Sequence, residues 1–442
     1  MLARHRPYLK YDSQDAFRVA AAETIAEGAA NVLTRADGSV IARPFRRAGR
    51  PPSLDVLLSY PNGESPTPGD RFNEGPDIVA DGVGLQEKRR HANRVYGRVI
   101  RDGRHIWLQY WLWYYFDQKQ LLGFGRHEGD WETVQVGLDP TGNPDRVIFS
   151  RHQGAIAKRW HEVERHRTSA GDHPVVYVAL FSHACYTEPG AHLYLGGIDN
   201  PDGKGPAILP DLERFGDWSH WPGRWGSSRG VLQQWTGLRF LGGRSPASPA
   251  CQVERWQHPT KFYRHARRWR PIDALGRSLC RFRSAGKWAR TETAVRLDRD
   301  RVLVSYKGPK PRRLRPRYLY ITVHAAGNRE RVLATRPLRT PERRGEVAIP
   351  LPCTPGRCVV RVSAFNLLRQ RGDVREHGVS QSLPSSFRRA GVVPWRRELG
   401  HGHVASCSSS YARMLNGSNV RRGRPSLFVS RCNKRRRGRD PP

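Results

Sequence analysis

HIWLQYWLWYYFDQKQLLGFGRHEGDWETVQVGL, residues 105–138, is the stretch that decides the fold. Its opening segment, His105 to Asp117, is apolar on both sides of an extended chain. Trp107, Trp111, Trp113 and Tyr115 lie on one side, and Ile106, Leu108, Tyr110, Leu112 and Phe116 on the other. Such a run predicts a central strand buried on both faces. The closing segment, Trp131 to Leu138, alternates, so that Asp130, Glu132, Val134, Val136 and Leu138 share a face. Two carboxylates therefore turn toward the side that buries three aliphatic residues, which is costly unless they are paired or bound to a metal. Asp117 at the end of the first strand and His127 before the second complete a set: Asp117, His127, Asp130 and Glu132. Asp130 and Glu132, two apart on a strand, can reach one ion. Gly123, Gly125 and Gly129 let the loop turn tightly and bring His127 in. Oxygen donors with one imidazole suit a divalent cation such as Ca or Mg. The alternative is that these carboxylates salt-bridge arginines or cap loops.

Outward from this stretch, strand signals are dense from Val95 to Leu195: Tyr96 to Arg101, Arg146 to Arg151, Val175 to Phe181 and His192 to Leu195. A short strand is expected at Pro7 to Tyr11, and helices at Leu85 to Val95 and Ile156 to His166. Residues 196–270 are rich in Gly, Pro, Trp and Ser, the composition of long structured loops that cover or build a site. After Gly286, Arg301 to Tyr306, Arg317 to His324, Gly345 to Pro350 and Cys358 to Phe365 alternate at strand spacing. The layout predicts an all-β protein. Residues 1–270 form a β-sandwich with long Gly/Trp-rich loops, and 286–382 a second small immunoglobulin- or fibronectin-like β-sandwich for accessory binding or spacing. Residues 383–442 form a disordered Arg/Ser-rich tail.

Five blocks in order carry a resemblance: YWLWYYFD, GRHEGDWETVQV, FSRHQG, VVYVALFSHACY and GRWGSS. Together with the N-terminal PYLKYDSQ and NVLTRADGSVIA, they resemble the vacuolar protein sorting-associated protein 62 family, bacterial type, over roughly residues 5–265. More distantly, the stretch from Asp117 to Glu132 is similar to the metal-site heptapeptide GHRHDWE of the necrosis-inducing toxin family. That resemblance implies divalent-metal ligands at Asp117, His127, Asp130 and Glu132, and a glycan or anionic lipid headgroup as ligand. The second His of the heptapeptide is Gly129 here.

Composition restricts the remaining classes. The formal charge is +36, yet only ten of the 76 basic residues are Lys and only two residues are Met, the pattern of a GC-rich genome. Within residues 384–442, 14 basic residues face only Glu398 and Asp440, so the excess is concentrated in the tail. No zinc-finger, RNA-recognition or helix-turn-helix pattern occurs, so no specific nucleic-acid partner is expected. No apolar run reaches the length of a membrane span, and the start MLARHRPYLKYDSQ lacks a signal peptide's apolar stretch. A cytoplasmic protein is the default expectation, or a secreted one if translation starts upstream. Of seven cysteines, Cys353 and Cys358 flank Thr-Pro-Gly-Arg. Pro355 and Gly356 there fit the centre of a type II turn, so the pair can face across strands; in a reducing cytosol they stay thiols. Cys185, Cys251, Cys280, Cys407 and Cys432 show no metal spacing.

Further candidates flank the acidic set. His152 in SRHQG and His183 in FSHACY end predicted strands and are the catalytic candidates if they meet the carboxylates. Hydrogen bonds to strand-end carbonyls are their bland alternative. Ser182 lacks a nucleophile elbow, and His192, Asp172 and Glu188 are weaker candidates. In WSHWPGRW, Trp221, Arg224 and Trp225 could stack on a sugar or headgroup, or pack a loop. Three functions follow: an ion-ordered glycan- or lipid-headgroup-binding surface, a hydrolase acting through metal-activated water, and polyanion binding through the basic tail.

Overall fold

The computed structural model describes residues 1–28, 31–42, 53–60, 63–73, 78–118, 127–152, 154–194, 197–226, 245–268, 291–311, 315–339, 342–365 and 371–379. The tail at 383–442, Gly123, Gly125, Cys280, Cys407 and Cys432 lie outside the described residues.

The expected central strand, His105–Asp117, sits inside a six-stranded sheet. Its order is Asp211–Glu213, Arg94–Asp102, His105–Asp117, His127–Leu138, Pro144–Arg151 and Gly154–Arg159. Only the edge strand Asp211–Glu213 pairs in parallel; the other neighbours run antiparallel. A second sheet built on Gly171–Val178 and Tyr8–Lys10 covers one face. Between the sheets, Leu108, Tyr110, Leu112 and Tyr114 pack with Val134, Val136, Leu138, Val147, Phe149, Val176 and Leu9. This is the sandwich core, and it lies on the face that also carries Asp130 and Glu132.

The opposite face explains why the central strand is apolar on both sides. Trp111, Trp113 and Trp131 meet Trp218, Trp221, Trp225 and Trp256 from the segments covering that face, Trp256 from the helix Val253–Gln257. Trp107 meets Phe262, Tyr263 and Ala266 of the helix Pro259–Arg268. The sheet is thus the middle of three layers, and burying large aromatics of this size accounts for much of its stability, about 3–5 kcal/mol for each when truncated.

Both expected helices are corrected. The first spans Ile78–Gln86, and residues from Arg94 onward belong to a strand. At Ile156 to His166 the chain forms the strand Gly154–Arg159, a short 3-10 turn at Trp160–Glu162 and the strand Arg165–Thr168. Ile156, Trp160 and Val163 have helical spacing, and all three join the sandwich core. However, Ala155 and Ala157 face the opposite layer, the two-residue alternation of a strand.

The second unit has the seven-strand Greek-key arrangement of a fibronectin-type sandwich. Glu292–Asp298, Arg301–Lys307 and Arg344–Pro350 form one sheet. Asn328–Arg339, Tyr318–Ala325, Cys358–Phe365 and Arg371–Gly378 form the other, in that order. Val302, Val304, Ile321, Val323, Ile349, Val360 and Val362 fill its core. Cys353 and Cys358 are joined as a disulfide. The turn between them is the expected type II: Gly356 has φ +86°, and Arg357 N donates to Thr354 O at 3.0 Å.

Candidate functional site

The antiparallel register builds the site. Asp117 stands opposite His127, Tyr114 opposite Asp130, and Leu112 opposite Glu132. Four polar residues from two segments are thereby stacked at one end of the sheet, all buried. His127 Nδ1 donates to Gly129 O at 2.8 Å, which aims Nε2 at Asp117 Oδ2, 3.5 Å away. Gly129 adopts φ +57°, and a Cβ there would collide with the Trp113 ring and the Trp225 carbonyl. Glycine is therefore the residue this position accommodates, and a histidine would be strained there.

Asp130 pairs with His183. His183 Nδ1 lies 3.1 Å from Asp130 Oδ2, while Nε2 faces Asp15 Oδ1 at 3.8 Å. The ring is stacked flat on Tyr114, centroids 4.0 Å apart. His183 Nε2 and Asp15 Oδ2 are buried atoms without a hydrogen-bond partner. Glu132 accepts from the Ser150 hydroxyl, and the His152 backbone N–H and the Arg255 guanidinium also act on it. Arg255 in turn donates to His152 O at 2.8 Å.

The electrostatics follow from burial. Desolvation and the nearby Asp130 push the Glu132 carboxyl up to about 8, against the opposing pull of Arg255 and Ser150. Desolvation pushes Asp15 up to about 7, with His183 opposing. Burial alone would lower both histidines. Asp117 and Asp130 outweigh it at His127, and Asp15 and Asp130 outweigh it at His183, so both imidazoles hold their protons above the usual range.

Of the sequence candidates, the structure brings together Asp117, His127, Asp130, Glu132 and His183. Among the described residues, His152 meets the set through its main chain. Its ring turns to Asp199, with Nε2 2.7 Å from Oδ2, and Tyr186 and Ser182 also donate to that carboxylate. His192 stacks on Tyr186 and donates to Glu188 O, and Asp172 pairs with Arg167. Three residues with φ between 47° and 73° flank these dyads: His152, Phe181 and His183. Left-handed non-glycine residues cost about 1–3 kcal/mol each and cluster where side chains are aimed for a purpose.

Of Trp221, Arg224 and Trp225, the two tryptophans follow the packing alternative. Trp221 and Trp225 are 1% and 0% exposed. Their Nε1 groups donate to Tyr60 and Ser248, and both rings pack on Phe72. Arg224 is tied by its main chain to Asp70 and Phe72. No aromatic face of this pair is left for a ligand. Asp15, Ser150, Asp199 and Arg255 are the site residues that sequence reasoning missed. Asp199 and Arg255 come from segments remote in sequence, whereas Ser150 lies within the block FSRHQG and Asp15 directly follows PYLKYDSQ.

Among the described residues, no group of three or more His, Cys, Asp or Glu is drawn together closely enough to hold a metal ion. The donors are of the right chemistry but are engaged in pairs, Asp117 with His127 and Asp130 with His183. No helix of the described residues is long and apolar enough to cross a membrane.

No family model matches the chain, and no curated protein sequence matches it. Solved structures do. NLPPya in complex with glucosamine is 15% identical, with a TM-score of 0.20 over 28% of this chain and 51% of that one. The non-toxic HaNLP3 protein is 18% identical, with a TM-score of 0.20 over 29% of this chain and 55% of that one. Necrosis and Ethylene inducing Protein 2, from the causal agent of cocoa's Witches Broom disease, is 17% identical, with a TM-score of 0.20 over 33% and 67%. The chain spans about half the length of the first of these.

Proposed function

We propose that the pocket of Asp117, His127, Asp130 and Glu132 holds a divalent cation, and that the ion orders a surface binding a glycan or lipid headgroup. One observation carries the reading: buried carboxylates and imidazoles crowd at one end of the sheet, Asp117, His127, Asp130 and Glu132 with Asp15 and His183 beside them. Glu132 is pushed up to about 8 and Asp15 to about 7, and His127 and His183 are both raised. Buried carboxylates that must borrow protons are what a hard cation relieves. Asp117, Asp130 and Glu132 would supply oxygen donors and His127 an imidazole, leaving their present pairs to close on the ion. The unpartnered Asp15 Oδ2 and His183 Nε2 lie beside them. The five sequence blocks that resemble the vacuolar protein sorting-associated protein 62 family include the segments that carry these residues.

A second reading, a metal-dependent hydrolase, is favoured by one feature: Asp199 orients the His152 imidazole as a general base is oriented. The two readings separate on His152→Ala. A binding module keeps both ion and ligand affinity, whereas a hydrolase keeps the ion and loses turnover. Polyanion binding through the basic tail would instead survive chelation and fall steeply with salt.

The test is the metal content of the purified chain, with Asp130→Ala beside it, followed by titration of glucosamine and mannosamine, the sugars named for NLPPya complexes. The reading expects a stoichiometric divalent ion that disappears in the variant. No ion in either protein, after dialysis against Ca, Mg and Mn, sinks it.

A further inference from the structure

The second sandwich meets the first at a patch that coincides with the backs of the pocket segments. Tyr320 donates to Gln118 Oε1 at 2.6 Å, and Gln118 Nε2 donates to Thr335 Oγ1 at 2.9 Å; Gln118 directly follows Asp117. Ser363 donates to Gln14, the residue before Asp15. Arg371 donates to Asp12 at 2.7 Å and to Asp202 at 2.9 Å, and the Asp12 carbonyl accepts the Asp15 N–H at 3.1 Å. Tyr320 and Phe365 clasp Phe181, two residues before His183, with ring centroids 4.5 and 5.9 Å away. Three segments far apart in sequence are each gripped one to three residues from a pocket side chain.

We propose that the second sandwich is a positioning device for the pocket: through Tyr320, Ser363, Phe365 and Arg371 it fixes the segments that carry Asp15, Asp117 and His183. The turn at residues 179–184 shows why such a grip is needed. It is closed by His183 N to Ala179 O and Ala179 N to Ala184 O, both at 3.0 Å. Within it Phe181 has φ +73° and His183 φ +49°. Two left-handed non-glycine residues in one short turn are not held by local preference; the surroundings must over-determine them. Tyr114, Asp130 and Asp15 hold the His183 end. The Phe181 end is held by the second sandwich, in the aromatic cluster of Leu180, Phe181, Tyr320 and Phe365. Release of Phe181 lets the turn relax and the His183 ring leave its stack. The proposal stands whether or not the pocket takes an ion, and its test uses none.

Hydrogen exchange followed by mass spectrometry on the full chain tests it, with Tyr320→Ala and Tyr320→Phe. In Tyr320→Ala the fragment spanning residues 179–186 is expected to exchange about ten-fold faster or more, while fragments from the central strand at 107–113 and from 302–306 keep their protection. Tyr320→Phe retains the ring against Phe181 and is expected to restore the native rate. Should Tyr320→Ala fail to fold, Phe365→Ala carries the same expectation. Unchanged exchange in the turn, uniform acceleration across both sandwiches, or failure of the Phe variant to restore the rate each overturns the proposal.

Discussion

The strand His127–Leu138 separates two environments that look equally conspicuous in sequence and differ in physics. On one face, Trp131 joins a cluster of tryptophans whose rings meet at 4.8–6.0 Å. Trp113, Trp221 and Trp225 there each place Nε1 on a hydroxyl. Burial alone accounts for that face. On the other, Asp130 and Glu132 lie at the end of the sandwich core, and burial works against them. A run of tryptophans is held by packing, even with Trp131 Nε1 buried without a partner among the described residues, whereas carboxylates in the same strand call for protons or cations. The contrast is why Trp221 and Trp225 belong to the core and why the acidic set is the one proposed as a pocket.

Truncating each face gives opposite signs. Trp131→Ala should cost about 3–5 kcal/mol in urea unfolding at any pH, since it opens a large cavity. Glu132→Gln should do the reverse above neutrality. A carboxyl raised in the folded state stabilises folding below its ordinary range and loses that advantage as pH rises through about 8. The amide variant should therefore exceed the parent by an amount on the order of 1–3 kcal/mol at pH 9, and the gain should vanish near pH 5. A gain that persists at pH 5 would mean that charge is not the cause. Reduction of Cys353–Cys358, remote from both faces, should cost about 2 kcal/mol for so short a loop, read from unfolding with and without dithiothreitol. The smallest effects sharpen the comparison through two serines. Ser248→Ala removes the acceptor of Trp225 and should cost about 1 kcal/mol independent of pH. Ser150→Ala removes the donor on Glu132 and should move the pH midpoint of stability upward.

The central sheet was legible because period and burial coincide: His105–Asp117 reads as a strand and is one, with both its faces assigned to the correct sides. The second sandwich was legible from alternation and from the Pro355-Gly356 turn. Ile156 to His166 misled because core contacts at helical spacing came from a strand and a turn in succession. The neighbourhood of Asp117, His127, Asp130 and Glu132 was legible, since a two-stranded register places residues locally. Asp15, Asp199 and Arg255 were not, because their places depend on the second sheet and the loops closing over the first, contacts that no short-range pattern encodes. Nor could the role of Gly129 be read without the Trp113 ring against which it packs.

The most direct measurement is the thermal unfolding midpoint at pH 8.5 in millimolar Ca, Mg or Mn against the same buffer with chelator, for the native chain and for Asp130→Ala. A pocket that exchanges protons for a cation predicts a midpoint raised by at least one of these ions in the native chain, by more at pH 8.5 than at pH 6, and no rise in the variant. Equal midpoints with every ion and with chelator, at both pH values, would contradict it and leave the carboxylates as a charge network closed by protons and arginines.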